Sequence, residues 1–525
     1  MRTALYADPA NRFLHDVIFD TCQRNPHKTA IVDPSANRRI TYAEYGELVR
    51  SLARRFVSAG LKPNEVVAIH SFNSWEFCAA YHAVTAAGAI PTLLNPTYRE
   101  REIRYQLENS GATFLISDGT LLSAVNLSGL AHLRRVYATR NIGPGMEAFA
   151  NLLSPTSGTL PTPGRSSRET LAALPYSSGT TGLPKGVMLS HFNLVANVFQ
   201  ILGPDAADLH PDDVMLCFLP LYHIYGLNVA LNTVLSLGAT LVLMPRFNIP
   251  QLADLLVSES ITMMPVVPPA LNAMNQAAEA GLFPRQHCLR WVKSGAAPLA
   301  PELARRFTEL TGALVCQGYG MTEASPVTHI GYLDPELYRP SSIGQPLVKT
   351  ECRVLDEEGK EVAAGESGEL VMRGPQFMLG YWNEPQATAA ALRDGWYWSG
   401  DVVTRDDQNF FYVLDRRKEM IKYKGFPVAP AEVEALLLEH PAVRDCGVIG
   451  RADPACGEIP SAFIVLRDGQ VASEKLKQDL RSYVADRLTP YKQPREIHFV
   501  KSVPRTASGK ILRRELRQSL ADCRP

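Results

Sequence analysis

Residues 176–187 read Tyr-Ser-Ser-Gly-Thr-Thr-Gly-Leu-Pro-Lys-Gly-Val and stand between two long runs of alternating helix and strand patterns. Four hydroxyls, three glycines and one lysine fall within the ten residues 177–186. Glycine allows close backbone approach, so successive N–H groups can face one concavity, and a lysine adds a charge suited to phosphate. Pro184 before the lysine and Gly186 after it exclude a Gly-x-x-x-x-Gly-Lys-Ser/Thr P-loop. A phosphate-binding loop and a flexible polar surface loop both fit this composition.

The residues before this loop predict an α/β fold. Residues 41–44 form a capping box, and apolar residues at helical spacing follow until Gly60. Short apolar strands at 66–69 and 90–94 enclose a helix at about 75–87. Helices that alternate with short apolar strands indicate a domain with mainly parallel sheets.

The same alternation continues after the loop. Residues 214–244 contain no Asp, Glu, Lys or Arg and are long enough to span a bilayer. Pro220, His223 and several other polar or small residues interrupt them, so we interpret this segment as a buried strand–loop–helix–strand. Pro301 begins a predicted helix, and 315–320 are expected to combine a strand end with a sharp turn.

The last 110 residues predict a small α+β domain. Helices are expected at 432–439 and near 473–487, with strands at 446–449, 462–466 and 497–500. The predicted division is a large N-terminal domain of mainly parallel sheets flanked by helices, residues 1–415, and a small mobile C-terminal α+β domain, residues 416–525. The hinge is expected near 415–418.

Composition narrows the classes of function. Lys+Arg and Asp+Glu both count 53 among 525 residues, so no overall basic charge indicates a nucleic-acid partner. The nine cysteines are scattered and form no Cys-x-x-Cys pair, which favours reduced thiols over disulfides or zinc. The N-terminus has no secretory h-region. We therefore expect a cytoplasmic protein without a transmembrane segment.

Seven spaced motifs resemble the adenylate-forming superfamily of acyl- and aryl-CoA ligases, firefly luciferase and peptide-synthetase adenylation domains. The resemblance covers about residues 25–518 and is nearest to 4-coumarate:CoA ligases. After residues 176–187, the motifs are Leu221-Tyr-His-Ile-Tyr-Gly226, Lys293-Ser-Gly-Ala-Ala-Pro298, Gln317-Gly-Tyr-Gly-Met-Thr-Glu323, Trp396-Tyr-Trp-Ser-Gly-Asp401, Asp415-Arg-Arg-Lys418 through Lys422-Tyr-Lys-Gly425, and Pro504-Arg-Thr-Ala-Ser-Gly-Lys510.

The resemblance implies an ATP site with Mg²⁺. Thr180, Thr181 and Lys185 would cradle the β- and γ-phosphates, and Glu323 would hold the metal, which phosphate oxygens and one carboxylate can satisfy. Asp401 and Arg416 would bind the ribose, and Tyr319 would stack on adenine. The full implied ATP/AMP set is Ser177, Ser178, Gly179, Thr180, Thr181, Lys185, Gln317, Gly318, Tyr319, Thr322, Asp401, Arg416, Lys418, Lys422 and Lys510.

The resemblance also implies the remaining parts of the site. Lys510, His223, Thr180 and Lys185 would be catalytic, with Lys510 at the developing charge and His223 beside the attacking carboxylate. Lys418 would be the hinge residue. Arg246, Lys424 and Gly425 would contact coenzyme A. The acid would lie against Tyr225, Gly226, Val229, Ala296, Gly318, Pro326 and Val327.

Two residues keep a second interpretation on sequence alone. A histidine among apolar residues, such as His223, is more often a satisfied core residue than a catalyst. Lys510, close to Arg513, Arg514 and Arg517, also fits a solvated basic helix start.

The implied reaction is ATP-dependent formation of an acyl-adenylate and pyrophosphate, followed by acyl transfer to CoA. Coumarate ligases commonly carry a hydroxyl residue where Val229 stands, so an apolar acid is expected, such as cinnamate, another aryl acid or a medium-chain fatty acid. Three alternatives stay open: an acyl-AMP ligase that loads a carrier protein, a luciferase-like oxygenase and an inert nucleotide sensor. The sensor is disfavoured because the residues needed for catalysis are all present.

Overall fold

The protein is described by a computed structural model that covers residues 12–154, 156, 158–161, 164, 166–177, 184–203, 208–424, 426–454, 456–506 and 509–522. Its strands, numbered along the chain, are β1 (Thr29–Asp33), β2 (Arg38–Thr41), β3 (Val66–His70), β4 (Ile90–Leu94), β5 (Phe114–Ser117), β6 (Arg135–Ala138), β7 (Glu147–Ala148), β8 (Leu171–Ala173), β9 (Tyr176–Ser177), β10 (Lys185–Ser190), β11 (Val214–Cys217), β12 (Thr240–Leu243), β13 (Met263–Val266), β14 (Trp291–Ser294), β15 (Leu314–Gly320), β16 (Val327–Ile330), β17 (Gln345–Pro346), β18 (Glu351–Leu355), β19 (Ser367–Arg373), β20 (Gly380–Tyr381), β21 (Leu392–Arg393), β22 (Trp396–Arg405), β23 (Phe411–Arg416), β24 (Ile421–Tyr423), β25 (Phe426–Val428), β26 (Val443–Asp453), β27 (Gly457–Leu466) and β28 (Glu496–Phe499).

The α-helices are numbered in the same way. They are α1 (Leu14–Arg24), α2 (Tyr42–Ser58), α3 (Trp75–Ala86), α4 (Glu100–Ser110), α5 (His191–Ile201), α6 (Thr233–Leu237), α7 (Ile249–Ser258), α8 (Pro268–Glu279), α9 (Pro301–Thr311), α10 (Pro385–Ala391), α11 (Pro430–Leu438), α12 (Glu474–Ala485) and α13 (Arg513–Asp522). A π-helix, Tyr225–Asn232, precedes α6.

Two sheets of mainly parallel strands form the body of the large unit. The first has the order β17-β16-β15-β14-β13-β11-β12-β1-β2, and its central pairs from β1 to β15 are parallel. The second, β4-β3-β5-β6-β7, is parallel throughout. Strands β3, β4, β12, β13 and β14 are buried along their whole length, as parallel strands covered on both faces require. The predicted α/β class is confirmed.

Antiparallel strands complete the large unit. Strands β8, β9, β10 and β20 form one small sheet, and β18, β19, β21, β22 and β23 form another. One continuous core runs under the two parallel sheets and reaches both small ones.

The smaller C-terminal unit has a sheet and a core of its own. Strands β24 to β28 pair in one sheet, and the side chains of α11 and α12 pack against it. The unit touches α8 of the large unit at two points. A Cβ added at Gly509 would lie 3.2 Å from Cδ of Pro269, and Nδ2 of Asn272 donates to the Arg444 carbonyl at 3.4 Å.

Several local predictions are confirmed. Helix α2 begins with the predicted capping box, in which the Thr41 hydroxyl accepts from the Glu44 N–H and the Glu44 carboxylate accepts from the Thr41 N–H at 2.7 Å. The uncharged segment 214–244 divides into β11, the π-helix, α6 and β12. Of the part of the chain described, no helix has both the length and the apolar character that a membrane crossing requires.

One local prediction is wrong. Residues 315–320 were expected to end a strand in a sharp turn, but β15 continues to Gly320 because it pairs antiparallel with β16, with Gly320 opposite Val327. The turn follows at 321–325.

The eight described cysteines are all free, as expected, and Cys523 lies outside the described residues.

Candidate active site

A cavity of about 950 Å³ opens where four parallel strands end. The carboxyl ends of β14 and β15 lead directly into lining residues, β13 contributes Pro265, and Tyr222 follows β11 after a short loop, as open α/β sheets do at their binding crevices. The small C-terminal unit closes the opposite side with Arg505, Thr506, Lys510, Leu512 and Arg514. The cavity therefore brings both units of the chain to one site.

The loop end of the cavity is formed by Ser177, Lys185 and Glu323. Ser177 and Lys185 face each other across the β9–β10 pair, so the two ends of the glycine-rich loop are held together. Tyr381 donates from its hydroxyl to Oε1 of Glu323 at 2.8 Å, and Lys185 Nζ lies 5.4 Å from the centroid of the Tyr381 ring. Ser178, Gly179, Thr180 and Thr181 lie outside the described residues.

The Glu323 carboxylate fits the magnesium expected from the resemblance. It is 9% exposed and lines the cavity beside Lys185. Within the described residues, no group of three or more His, Cys, Asp or Glu side chains could hold a metal. A single carboxylate is nevertheless the usual protein contribution where Mg²⁺ is held mainly by nucleotide phosphates.

Asp401 is the centre of a charged cluster next to the loop end. It stands directly opposite Arg416 in the β22–β23 pair, and Nε of Arg416 donates to its Oδ1 at 2.8 Å. The Tyr319 hydroxyl donates to the other carboxylate oxygen. Asp401 also raises the pKa of Arg416, which keeps the guanidinium charged. The predicted ribose-binding residues and Tyr319 are thus brought together.

The apolar end of the cavity is built from three elements. Tyr225 and Val229 come from the π-helix, Ala296 follows β14, and Pro326 and Val327 come from the start of β16. π-Helical turns are rare and occur frequently at functional sites. Gly318, Thr322 and Lys418 also line the cavity, as predicted.

His223 stands between the loop end and the apolar end. Burial lowers the pKa of its imidazole to about 4, so the ring is neutral at pH 7. Its Nδ1 accepts from the Tyr225 backbone N–H at 3.2 Å. The proton of the neutral ring is therefore on Nε2, which makes that nitrogen a hydrogen-bond donor.

Lys510 reaches the cavity from the small unit. Its backbone N–H donates to the Thr506 hydroxyl at 3.1 Å, and its carbonyl accepts from the Thr506 N–H at 2.8 Å. Burial, assisted by the positive charge of Arg416, lowers the pKa of Lys510 to about 8. The ammonium is thus close to its titration range near neutral pH.

The chain passes between the units through a short turn. The Arg417 N–H donates to the Gly400 carbonyl at 2.8 Å, and its guanidinium pairs with Glu369 at 2.7 Å. Two residues later, the Glu419 carboxylate pairs with Arg517 of α13 at 3.1 Å. Arg417 is thus bonded to the large unit and Glu419 to the small unit, and the small unit also reaches back to β23, where the Ala431 N–H donates to the Asp415 carboxylate at 2.9 Å.

Besides Asp401, which is bonded to the lining residues Tyr319 and Arg416, three predicted residues do not line the cavity although they lie close to it in sequence or space. The Gln317 side chain donates to the Pro340 carbonyl at 2.8 Å. A Cβ on Gly226 would lie 2.4 Å from the Pro220 carbonyl oxygen, so the position demands glycine for packing. Lys422 is exposed on β24.

The predicted CoA residues also lie outside the cavity lining in this arrangement. The Arg246 guanidinium is 4.2 Å from the centroid of the Phe72 ring. Lys424 is exposed, with a φ of 50°. Gly425 lies outside the described residues. The prediction for these three residues is that they act after the small domain rotates, and it stays a prediction.

Lys293 lines the cavity and was not predicted as a site residue. It is the third residue of the buried strand β14, and its Nζ donates to the Gly331 carbonyl at 3.2 Å. Burial lowers the pKa of its ammonium. The signal in the sequence is a lysine that follows the apolar pair Trp291–Val292 within a strand, where a lysine is rarely buried unless a polar partner is near.

Comparison with known proteins identifies the family. The model of the AMP-binding enzyme family matches residues 18–382, and that of the AMP-binding enzyme C-terminal domain matches residues 432–510. 4-Coumarate--CoA ligase 5 of Oryza sativa subsp. japonica is 37% identical, over 98% of this chain and 96% of that protein. 4-Coumarate--CoA ligase 1 of Arabidopsis thaliana is 36% identical, over 98% and 94%.

Solved structures agree over the whole length. ATP-bound MatB from Rhodopseudomonas palustris has a TM-score of 0.88 at 29% identity, covering 98% of this chain and 99% of that one. The anthranilate CoA ligase AuaEII with anthranoyl-AMP has a TM-score of 0.89 at 27% identity, covering 99% and 100%. The chain belongs to the AMP-binding enzyme family. It is an ATP-dependent, AMP-forming acid–CoA ligase of the adenylate-forming superfamily.

Proposed function

We propose that this ligase activates an aryl acid of the cinnamate type or a medium-chain fatty acid. The observation that carries the proposal is the cavity, in which an apolar end formed by Tyr225, Val229 and Val327 continues to Lys185 and Lys510. An acid with an apolar body would fill the first part and present its carboxylate to the second. The charged side chain of Lys293 also lines the cavity. It is compatible with an apolar acid because its ammonium donates to the Gly331 carbonyl and is held there.

In the first half-reaction, an oxygen of the carboxylate attacks the α-phosphorus of ATP, and the bond to the β-phosphate oxygen breaks. Pyrophosphate leaves and an acyl-adenylate remains. Lys510 would stabilise the negative charge that develops at the α-phosphate, and His223 would orient the carboxylate through its Nε2–H. Lys185, with the loop residues Ser177, Ser178, Gly179, Thr180 and Thr181, would hold the departing phosphates.

The nucleotide would be held by the cluster around Asp401. Its carboxylate, fixed by Arg416 and Tyr319, would accept from the ribose hydroxyls. Glu323 would hold Mg²⁺, which neutralises phosphate charge when it is bound. Gln317, Gly318, Thr322, Lys418 and Lys422 complete the proposed nucleotide set.

In the second half-reaction, the CoA sulfur attacks the acyl carbon and AMP leaves. Residues 416–525 would rotate about Lys418, so that Lys424 and Gly425 replace Lys510 at the site and Arg246 meets a CoA phosphate. A closing domain is needed because water would hydrolyse the mixed anhydride.

A screen of carboxylic acids for ATP-dependent pyrophosphate release, with and without CoA, tests the proposal. Cinnamate, other aryl acids and medium-chain fatty acids should release pyrophosphate, and CoA consumption should match AMP formation. Pyrophosphate release that never consumes CoA would instead favour a carrier protein as acceptor. Light emission with luciferin would indicate the oxygenase. Release with none of these acids would contradict the proposed substrate class.

Val229→Ser should move the specificity toward a hydroxylated ring. Because Val229 offers no hydrogen bond, kcat/KM for cinnamate or a medium-chain acid should exceed that for 4-coumarate in the wild type. A pocket hydrogen bond contributes on the order of 1 kcal/mol, so the serine should narrow the gap about fivefold. Steady-state kinetics with the three acids measure it. A wild-type preference for 4-coumarate by about tenfold or more would defeat this interpretation.

The pH dependence of adenylation should show the titration of Lys510. Because its pKa is lowered to about 8, the ammonium is lost as the pH rises through that value. The kcat/KM for ATP at saturating acid should therefore fall about tenfold per pH unit on the alkaline side. Pyrophosphate release across the pH range measures it. In Lys510→Arg the falling limb should disappear, because a guanidinium does not titrate there; a limb that persists would belong to another group.

A further inference from the structure

The wall segment, residues 325–327, carries two side chains that line the apolar end, Pro326 and Val327. It is held from behind by two buried asparagines. Nδ2 of Asn228 donates to the Ser325 carbonyl at 2.5 Å and to the Leu194 carbonyl at 3.3 Å. Asn228 directly precedes Val229 on the π-helix, so this one amide connects two walls of the cavity.

The second asparagine, Asn197 of α5, makes two hydrogen bonds to the other end of the wall segment. Its Nδ2 donates to the Val327 carbonyl at 2.7 Å, and its Oδ1 accepts from the Val327 N–H at 3.1 Å. A side-chain amide that makes both bonds to one residue fixes the backbone of that residue through the peptide groups on both of its sides. Asn197, Asn228 and Ser325 are all 0% exposed, so water cannot replace either amide.

Asn228 is itself oriented by a chain of hydrogen bonds that ends far from the cavity. Nδ2 of Asn232 donates to Oδ1 of Asn228 at 2.8 Å, and Nε2 of His82 lies 3.0 Å from Oδ1 of Asn232. Nδ1 of His82 lies 2.7 Å from the Tyr45 hydroxyl. The Tyr45 hydroxyl has one proton and two acceptors in reach, Nδ1 of His82 and the Cys78 carbonyl at 2.9 Å. When it donates to Nδ1, Nε2–H donates to Asn232 and Asn232 donates to Asn228. The Ser325 and Leu194 carbonyls, which can only accept, orient the NH₂ of Asn228 toward Ser325.

We infer that Asn228 and Asn197 are positioning residues that set the width of the acid-binding end of the cavity, and that Asn232 and His82 act through Asn228. The inference rests on the proposed function, since it assigns the acid to the apolar end. Polar groups this deep in a large core are costly unless all of them are bonded. Here these polar groups hold two walls of the cavity in place, where a displacement below 1 Å changes which acid fits.

The test compares acid selectivity in Asn228→Ala and Asn197→Ala with that in Asn275→Ala. Asn275 serves as a control because it is buried, donates to a backbone carbonyl, that of Leu303 at 3.1 Å, and does not line the cavity; unlike the other two amides, its Oδ1 has no partner among the described residues. The ratio of kcat/KM for cinnamate to that for octanoate should change by about tenfold or more in the first two variants. KM for the acid should rise while KM for ATP changes little.

The melting temperature is measured in parallel, because all three variants are expected to lose stability. A selectivity ratio equal to that of Asn275→Ala at a similar loss of stability would overturn the inference. If Asn228→Ala does not fold, Asn232→Ala tests the same chain from one bond further away, with a smaller change of the same sign. A wild type inactive with both acids would instead be a failure of the proposed function, so the two outcomes are distinct.

Discussion

Replacing Lys510 by alanine is expected to slow acyl-adenylate formation by about 10²–10³-fold, the scale for losing one pre-organised donor to a developing charge. The side chain lines the same cavity as Arg416, the partner of Asp401, and burial lowers its pKa to about 8, so its environment is unlike that of a solvated lysine. Pyrophosphate release under single-turnover conditions measures the effect.

The same variant should behave differently in the second half-reaction. Given pre-formed acyl-AMP and CoA, Lys510→Ala should still form thioester at a near-normal rate, because Lys510 would have rotated out of the site. Lys501→Ala serves as the control, since Lys501 is an exposed lysine of the same unit. Equal impairment of both half-reactions would contradict the alternating use of the small domain.

The second large effect is expected on stability. Glu434 of α11 receives two hydrogen bonds from Arg513, at 2.7 and 2.9 Å, and one from the Val448 N–H at 2.8 Å. The two side chains of the pair are 11% and 10% exposed. Glu434→Ala leaves a buried guanidinium and a buried N–H without these partners, so the small domain should lose about 3–5 kcal/mol of unfolding free energy.

Glu432 offers a control on the same helix. It pairs with Lys492 at 2.7 Å, but its side chain is 40% exposed. Glu432→Ala should therefore cost less than about 1 kcal/mol. Urea denaturation, followed separately for the two units where their transitions resolve, measures both variants. Equal losses would show that burial of the Glu434 pair does not matter.

The sequence predicts well where the signal is local. The capping box at Thr41 and the turn at Gly60 predicted α2 within a residue or two, because caps and glycines act on the backbone next to them. Strand β4 was predicted with its exact bounds. The small antiparallel sheets of the large unit were not predicted as sheets, because pairing depends on distant partners.

Among the site residues, too, those marked by local motifs were predicted and those that depend on distant contacts were not. The loop end and Lys510 come from motifs whose residues are neighbours in sequence. The structure brings Ser177, Lys185, Glu323 and Lys510 to one cavity, and Asp401 is bonded to the lining residue Arg416. The wall segment, residues 325–327, is instead held by residues that are far from it in sequence. Asn197 and Val327 are 130 positions apart, and Asn228 and Ser325 are 97 apart. No periodicity or motif marks such pairs, since only the folded sheet order makes them neighbours.

The short turn around Lys418 also limits how far the small domain can move from the cavity. Only this residue separates Arg417, bonded to Gly400, from Glu419, paired with Arg517. One residue offers two soft backbone dihedrals, so in the proposed mechanism the ammonium of Lys510 would stay within reach of the α-phosphate at an effective concentration in the ~mM range or above. A longer flexible connection would dilute it roughly as the −3/2 power of its length. The brevity of this turn would therefore keep the effective concentration of Lys510 high when it returns after each turnover.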